Sequence, residues 1–164
     1  MAGLRIERVD PARVATADDE AYAAALALRD AVFVREQGVS EALEFDGLDD
    51  DAEHFIAWRT AAESEPVVVG VARLRRVGGA LKVERVAVHA AEREQGVGTA
   101  IMHSLEQRAQ VLGAREITLH AQCSVIPFYE KLGYDAAGPI FEEAGIEHRS
   151  MRKQLGGAQS TEPR

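Results

Sequence analysis

The chain has 164 residues, 46% of them hydrophobic and 28% charged, with 19 Lys and Arg against 27 Asp and Glu for a formal net charge of −8. That balance suits one globular domain rather than a disordered chain, and the net acidity without any basic stripe argues against nucleic acid as a partner. Apolar runs such as Val67 to Val71 are far shorter than the roughly 20 residues of a membrane span; with Cys123 as the single cysteine and no signal-like opening segment, the chain reads as cytoplasmic, without a membrane partner.

Leu4 to Val9 alternates apolar and polar residues closely enough to predict a first strand. Asp18 and Asp19 are N-cap candidates for a helix whose Tyr22, Ala25, Leu26, Phe33 and Val34 recur at helical spacing until Gly38 stops it. Ser40 to Asp51 carries six acidic residues around Leu43, Phe45 and Leu48, and reads as a wet loop. Three short apolar runs follow, His54 to Trp58, Val67 to Leu74 and Leu81 to Val88. They predict strands, with Gly78-Gly79 permitting a tight hairpin turn.

A helix is expected from about Gly96 to Leu112 on the stripe Val97, Ile101, Leu105, Ala109 and Leu112, ended by Gly113. Glu116 to His120 predicts a strand, Val125 to Leu132 a short helix, and the segments near Tyr134 to Phe141 and His148 to Gln154 two more strands. The order β-α-β-β-β-α-β-α-β-β is an α/β (α+β) plan, a mixed central sheet of about six to seven strands flanked by about four helices. Residues 1–155 make one domain, and the polar tail 156–164 is expected to be disordered.

The most informative segment runs from Glu84 through Val88 and Arg93 to Thr99: strand, short loop, then a glycine-containing helix start. Backbone N–H groups at such a start point outward and the helix dipole adds positive potential, which makes a site for a pyrophosphate. Gly96 and Gly98 carry no side chain to keep phosphates away, and Arg93 can add a charge-assisted contact. A Walker-type loop needs a lysine that is missing after Gly98, and a dinucleotide fingerprint needs a small residue where Ile101 stands. A helix that merely begins with two glycines is the remaining alternative, at a cost of about 1 kcal/mol for each glycine relative to alanine.

Arg93-Glu94-Gln95-Gly96-Val97-Gly98 matches the coenzyme-A motif of the GCN5-related N-acetyltransferase (GNAT) family, and Pro127-Phe128-Tyr129-Glu130-Lys131-Leu132-Gly133-Tyr134 is similar to that family's helix and turn after the fifth strand. The resemblance covers about Leu4 to Gln154. Val32 to Gly38, Glu44 to Asp49 and Gly145 to Arg149 look like the small bacterial YjcF/ElaA-like branch. The resemblance implies a single-domain GNAT fold and an N-acetyltransferase that moves an acetyl group from acetyl-CoA to a small-molecule or protein amine in a ternary complex, without a metal, as a monomer or homodimer. It also implies roles: backbone groups of Val86, Ala87 and Val88 pair with the pantetheine arm, Arg93 through Thr99 cradle the pyrophosphate, Tyr129 is the general acid for the departing thiolate, and Phe128 and Lys131 lie near the cofactor.

The acceptor side is less determined. An alkyl ammonium must lose a proton before it attacks a thioester, so a base or a water relay is needed. Glu84 is the first candidate, or else a strand carboxylate paired with Arg73 or Arg85; His120 is the second, or else a structural hydrogen-bonder. Cys123 makes a covalent acyl-cysteine route conceivable. Asp46, Asp49, Asp50 and Asp51 either attract a cationic acceptor or form a solvated face. Two other readings stand beside the enzyme: a non-catalytic acyl-CoA-binding module, and an acyl-homoserine-lactone-synthase-like enzyme, which Arg29-x-x-x-Phe33 and Glu44-Phe45-Asp46-x-x-Asp49 resemble although the coenzyme-A turn does not.

Overall fold

The computed structural model describes residues 3–14 and 19–156; Asp18 and the tail beyond Gly156 lie outside the described residues. Seven strands form one sheet: β1 (Gly3–Val9), β2 (Glu53–Thr60), β3 (Val67–Val77), β4 (Ala80–Val88), β5 (Glu116–Gln122), β6 (Asp135–Glu143) and β7 (Ile146–Gln154). Their spatial order is β1-β2-β3-β4-β5-β7-β6, and every neighbouring pair is antiparallel except β4 with β5. The helices are α1 (Pro11–Val14), α2 (Glu20–Arg29), α3 (Glu41–Glu44), α4 (Val97–Val111) and α5 (Ile126–Lys131). The mixed sheet is the expected one, but α1 and α3 were not foreseen, because a single helical turn has no periodicity to read. Among the described residues no helix is long and apolar enough to cross a membrane.

Each face of the sheet buries its own core. On one face α4 lays Val97, Ile101, Met102, Leu105 and Ala109 against Phe55, Leu74, Leu81, Val83 and Ile117. On the other, Leu28, Val32 and Phe33 cover Val9, Ile56, Val71 and Ala87. The Asp19 side chain caps α2 by accepting from the Tyr22 amide at 2.9 Å. α2 does not run on as an α-helix to Val34: from Asp30 to Glu36 it widens into a π-helical segment, in which the Gln37 amide reaches back to the Val32 carbonyl at 3.0 Å. The changed pitch keeps Val32 and Phe33 in the core while bringing Glu36 and Gln37 out beside β4 and β5.

Two irregularities of β4 make room for a site. Arg73 pairs with Glu84 and Val71 with Ala87, so Ala72 alone faces both Arg85 and Val86, and Arg85 takes a left-handed φ of 58°. This bulge inverts the alternation of the strand. Leu81 and Val83 therefore pack under α4, whereas Ala87 packs under α2. The second irregularity is the brevity of the parallel pairing, which joins only Leu81, Lys82 and Val83 to Ile117, Thr118 and Leu119. Beyond Val83 the two strands part.

Gly70 shows how closely α4 sits on the sheet, because a Cβ there would lie 2.7 Å from a Val97 methyl and 2.8 Å from Ile101. Gly70→Ala is expected to destabilise the fold by about 1–3 kcal/mol through overpacking, read as a lower urea midpoint with an unchanged m-value.

Candidate active site

The parting of β4 from β5 opens a cleft of about 1040 Å³. One wall is the β4 stretch from Glu84 to Val88, which has no strand partner on the β5 side. The cleft runs on to the turn before α4, where Glu94 (φ 63°) and Gly96 (φ 87°) both adopt left-handed backbone. For Glu94 that is a strained conformation of the kind that collects at functional sites. No side chain caps α4, and its first helical bond is Ala100 N–H to the Gly96 carbonyl at 3.0 Å. The amides of Val97, Gly98 and Thr99 thus find no intrahelical acceptor and offer themselves to an anion.

The expected cofactor residues divide. Val86, Ala87, Val88, Arg93, Glu94, Gly96, Gly98, Thr99 and Phe128 all line the cleft. The Val97 side chain is instead buried in the core, Gln95 donates to the Ala91 carbonyl at 3.3 Å, and Lys131 is exposed and apart from the lining residues. Arg93 is engaged: it donates to both Glu36 oxygens at 2.7 and 2.8 Å and, through Nε, to the Val88 carbonyl at 3.0 Å. Gly98 admits the Phe128 ring, which a Cβ would meet at 3.1 Å. Phe128 in turn packs edge-on to Tyr129, with ring centroids 4.9 Å apart.

Tyr129 and Tyr134 sit side by side, with centroids 5.9 Å apart, yet differ in one respect. The Tyr134 hydroxyl donates to Glu106 at 2.8 Å. The Tyr129 hydroxyl lines the cleft and has no hydrogen-bond partner among the described residues. Burial pushes its pKa up, so it stays protonated.

The acceptor end departs from expectation. Most of Ser40 to Asp51 is exposed, as a wet loop would be, but α3 and a 3₁₀ turn (Asp49–Asp51) carry Glu44 and Asp49 into the interior. What drew them in is arginine, a partner that the local pattern of acidic residues does not reveal. The fully buried Arg73 donates to Asp46 at 2.9 and 3.0 Å, to Asp49 at 2.8 Å and to Glu84 at 2.8 Å. Arg29 holds Glu44 at 2.8 Å and Asp49 at 2.9 Å, while Arg85 reaches Glu44 at 3.0 Å and Asp46 at 3.1 Å. Asp46 and Asp49 are thereby spent on arginine partners, Asp49 buried and Asp46 at the surface, while Asp50 and Asp51 are exposed.

Glu84, the first candidate base, is pinned in the same cluster. One of its oxygens accepts from Arg73 and Arg75, and the other accepts from Arg75 at 3.0 Å with Lys82 at 3.5 Å. Burial pushes its carboxyl up, but the Arg75 hydrogen bond and the charges of Arg73, Arg75 and Lys82 outweigh this and hold the pKa at about 2. So weak a base suits a structural anion. Cys123 is not among the lining residues. His120 is, and its Nδ1 lies 2.9 Å from a Glu143 oxygen, a partnership the sequence does not announce because 23 residues separate the two. Gln37 and Gln122 close the same end with a reciprocal amide pair at 2.9 and 3.4 Å.

Residues 16–155 match the acetyltransferase (GNAT) domain family. The chain belongs to the GNAT family. It is 37% identical over 137 residues to the uncharacterized N-acetyltransferase YjcF of Bacillus subtilis, covering 83% of this chain and 94% of that protein. Against the protein ElaA of Escherichia coli it is 30% identical over 137 residues, or 80% of this chain and 86% of ElaA. Among solved structures, an acyl-CoA N-acyltransferase from Pseudomonas aeruginosa superposes with a TM-score of 0.76 at 30% identity, over 91% of this chain and 99% of that one. ElaA superposes with a TM-score of 0.75 at 26% identity, over 92% and 99%. The expected family, branch and fold are those found. GNAT proteins use acyl-CoA as cosubstrate, so membership of the family supports acyl transfer as the general chemistry.

Arg73→Met should cost about 3–5 kcal/mol, since it strands buried carboxylates without their cation. The pH dependence follows from Glu84, whose folded pKa of about 2 lies below its ordinary 4.5. Its stabilisation is complete above the ordinary value and is lost as pH falls from 4.5 towards 2. Urea midpoints across that range should fall less steeply for Glu84→Gln than for the parent chain.

Proposed function

We propose that this protein is an acetyl-CoA-dependent N-acetyltransferase that transfers the acetyl group directly to an amine in a ternary complex. The observation that carries the reading is the continuity of one cleft, from the unpartnered edge of β4 to the uncapped start of α4, with the Tyr129 hydroxyl facing into it. The unpaired backbone of Val86 to Val88 takes the pantetheine arm as an added strand. The amides of Val97, Gly98 and Thr99 hold the pyrophosphate, and Arg93 contributes its charge on leaving Glu36. Held this way, the thioester lies against Tyr129. The amine attacks the thioester carbonyl, the C–N bond forms as the C–S bond breaks, and Tyr129 gives its proton to the departing sulfur.

Burial keeps Tyr129 protonated until a thiolate appears beside it, which is the property an acid for this step needs. Glu84 serves here by keeping the arginine cluster and the β4 bulge in place, whereas its pKa of about 2 makes it a poor acceptor of the amine's proton.

Acetyl-CoA at 100 times its Kd should stabilise the fold by about 3 kcal/mol, visible as a raised melting temperature. Thiol release would then be followed across aliphatic amines, polyamines, amino-acid amides and lysine peptides. A stabilised protein that releases no thiol with any amine would be a binding module, and no stabilisation at all would sink both. Tyr129→Phe should lower kcat by about 100-fold while acetyl-CoA binding is retained.

A further inference from the structure

The acceptor end of the cleft needs a proton acceptor, and the arginine cluster has removed Glu84 from that duty. We propose that His120 is the base that takes the proton of the acceptor amine, and that Glu143 positions it. The proposal deepens the acetyltransferase reading and rests on it.

His120 stands on β5 beyond the last residue paired with β4, so its side chain borders the opening between the two strands. The β6–β7 hairpin brings Glu143 to it. That hairpin turns through Ala144 (φ 54°) and Gly145 (φ 77°), the left-handed pair that a two-residue turn demands, and an alanine in this conformation is strained. The turn lets Glu143 place a carboxylate oxygen 2.9 Å from His120 Nδ1. An ionised carboxylate can only accept, so Nδ1 carries the hydrogen, and the neutral form of the ring has its free lone pair on Nε2. No hydrogen bond to that nitrogen is formed by any described residue.

Phe141 packs edge-on to the ring, with centroids 4.9 Å apart, and is itself backed by His148 at 6.0 Å, so the imidazole is held by Phe141 at its ring and by Glu143 at Nδ1. His148 also lines the cleft, with its Nδ1 against the Ile146 carbonyl at 2.7 Å, but it is the weaker candidate because it is buried and its partner is a neutral carbonyl rather than a carboxylate. His120 remains about one-third exposed, at 32% of its side-chain surface, and so can pass a proton on to water.

The protons balance. The ammonium gives one proton to His120 Nε2 and the amine then attacks. The nitrogen loses its second proton as the amide forms, which matches the one that Tyr129 hands to the coenzyme-A sulfur and must recover. Imidazolium releases its proton to solvent.

The first test needs no acceptor: long-range 1H–15N correlation spectra of histidine-labelled protein saturated with CoA. His120 is expected as the Nδ1–H tautomer, with that preference lost in Glu143→Ala; a ring carrying its hydrogen on Nε2 in the parent protein overturns the proposal. With the best amine of the panel, His120→Ala should lose about 100-fold in kcat with acetyl-CoA affinity unchanged, and added imidazole should restore part of the loss. Turnover equal to that of the parent overturns the assignment, as does a loss that imidazole leaves untouched. These results would leave acetyl transfer standing. Absence of thiol release by the parent protein with every amine removes the acetyltransferase reading, and this proposal with it.

Discussion

The segment between α2 and β2 and the central strands β3 and β4 are organised around one buried guanidinium. Arg73 lies in the middle of β3 with no solvent contact, and bare burial of such a charge would cost several kcal/mol. Its donors are satisfied by Asp46, Asp49 and Glu84 together, which ties the segment after α2 to the two central strands. Asp49 also accepts from the Tyr22 hydroxyl and from Arg29, so α2 is bound into the same cluster. Within this cluster no buried side-chain nitrogen or oxygen lacks a partner. The cluster also gives β4 an anchor at Glu84, next to the point where the strand bulges and leaves its neighbour.

From that anchor the cofactor end follows with little help from side chains. Once the sheet splits after Val83, the edge of β4 is left without a partner, and the chain beyond it must turn into α4. A left-handed Gly96 completes the turn without supplying a cap, so the helix dipole and its first amides face the cleft. These are backbone properties, set by where a glycine can go and others cannot.

For this reason the sequence reads well at one end and poorly at the other. Gly96, Gly98 and the stripe on α4 act through local rules, and the turn they define lies where the motif predicts. The glycine pair at 78–79 likewise makes the β3–β4 hairpin. Within the acidic stretch from Ser40 to Asp51, the burial of Glu44 and Asp49 could not be read because their counterions, Arg29, Arg73 and Arg85, come from distant segments and reverse the usual link between charge and exposure. The π-helical segment escaped notice because apolar spacing in one turn barely distinguishes it from an α-helix. Glu143 could not be paired with His120 before the strand order was known, since β7 lies between β5 and β6 and the contact is made only at the hairpin's end.

Of the carboxylates that border the cleft, Glu84 and Glu143 sit in surroundings of opposite kind. Glu84 is enclosed by Arg73, Arg75 and Lys82, which stabilise its charge so strongly that it has little tendency to accept a proton. Glu143 stands on an exposed hairpin, and the contact it makes in the cleft is to an imidazole. A carboxylate in the first setting can hold architecture but not transfer protons, whereas one in the second can orient a ring that does. The cluster that makes the fold possible thus disqualifies Glu84 from proton transfer, which is why our proposal turns to His120, the second candidate from the sequence.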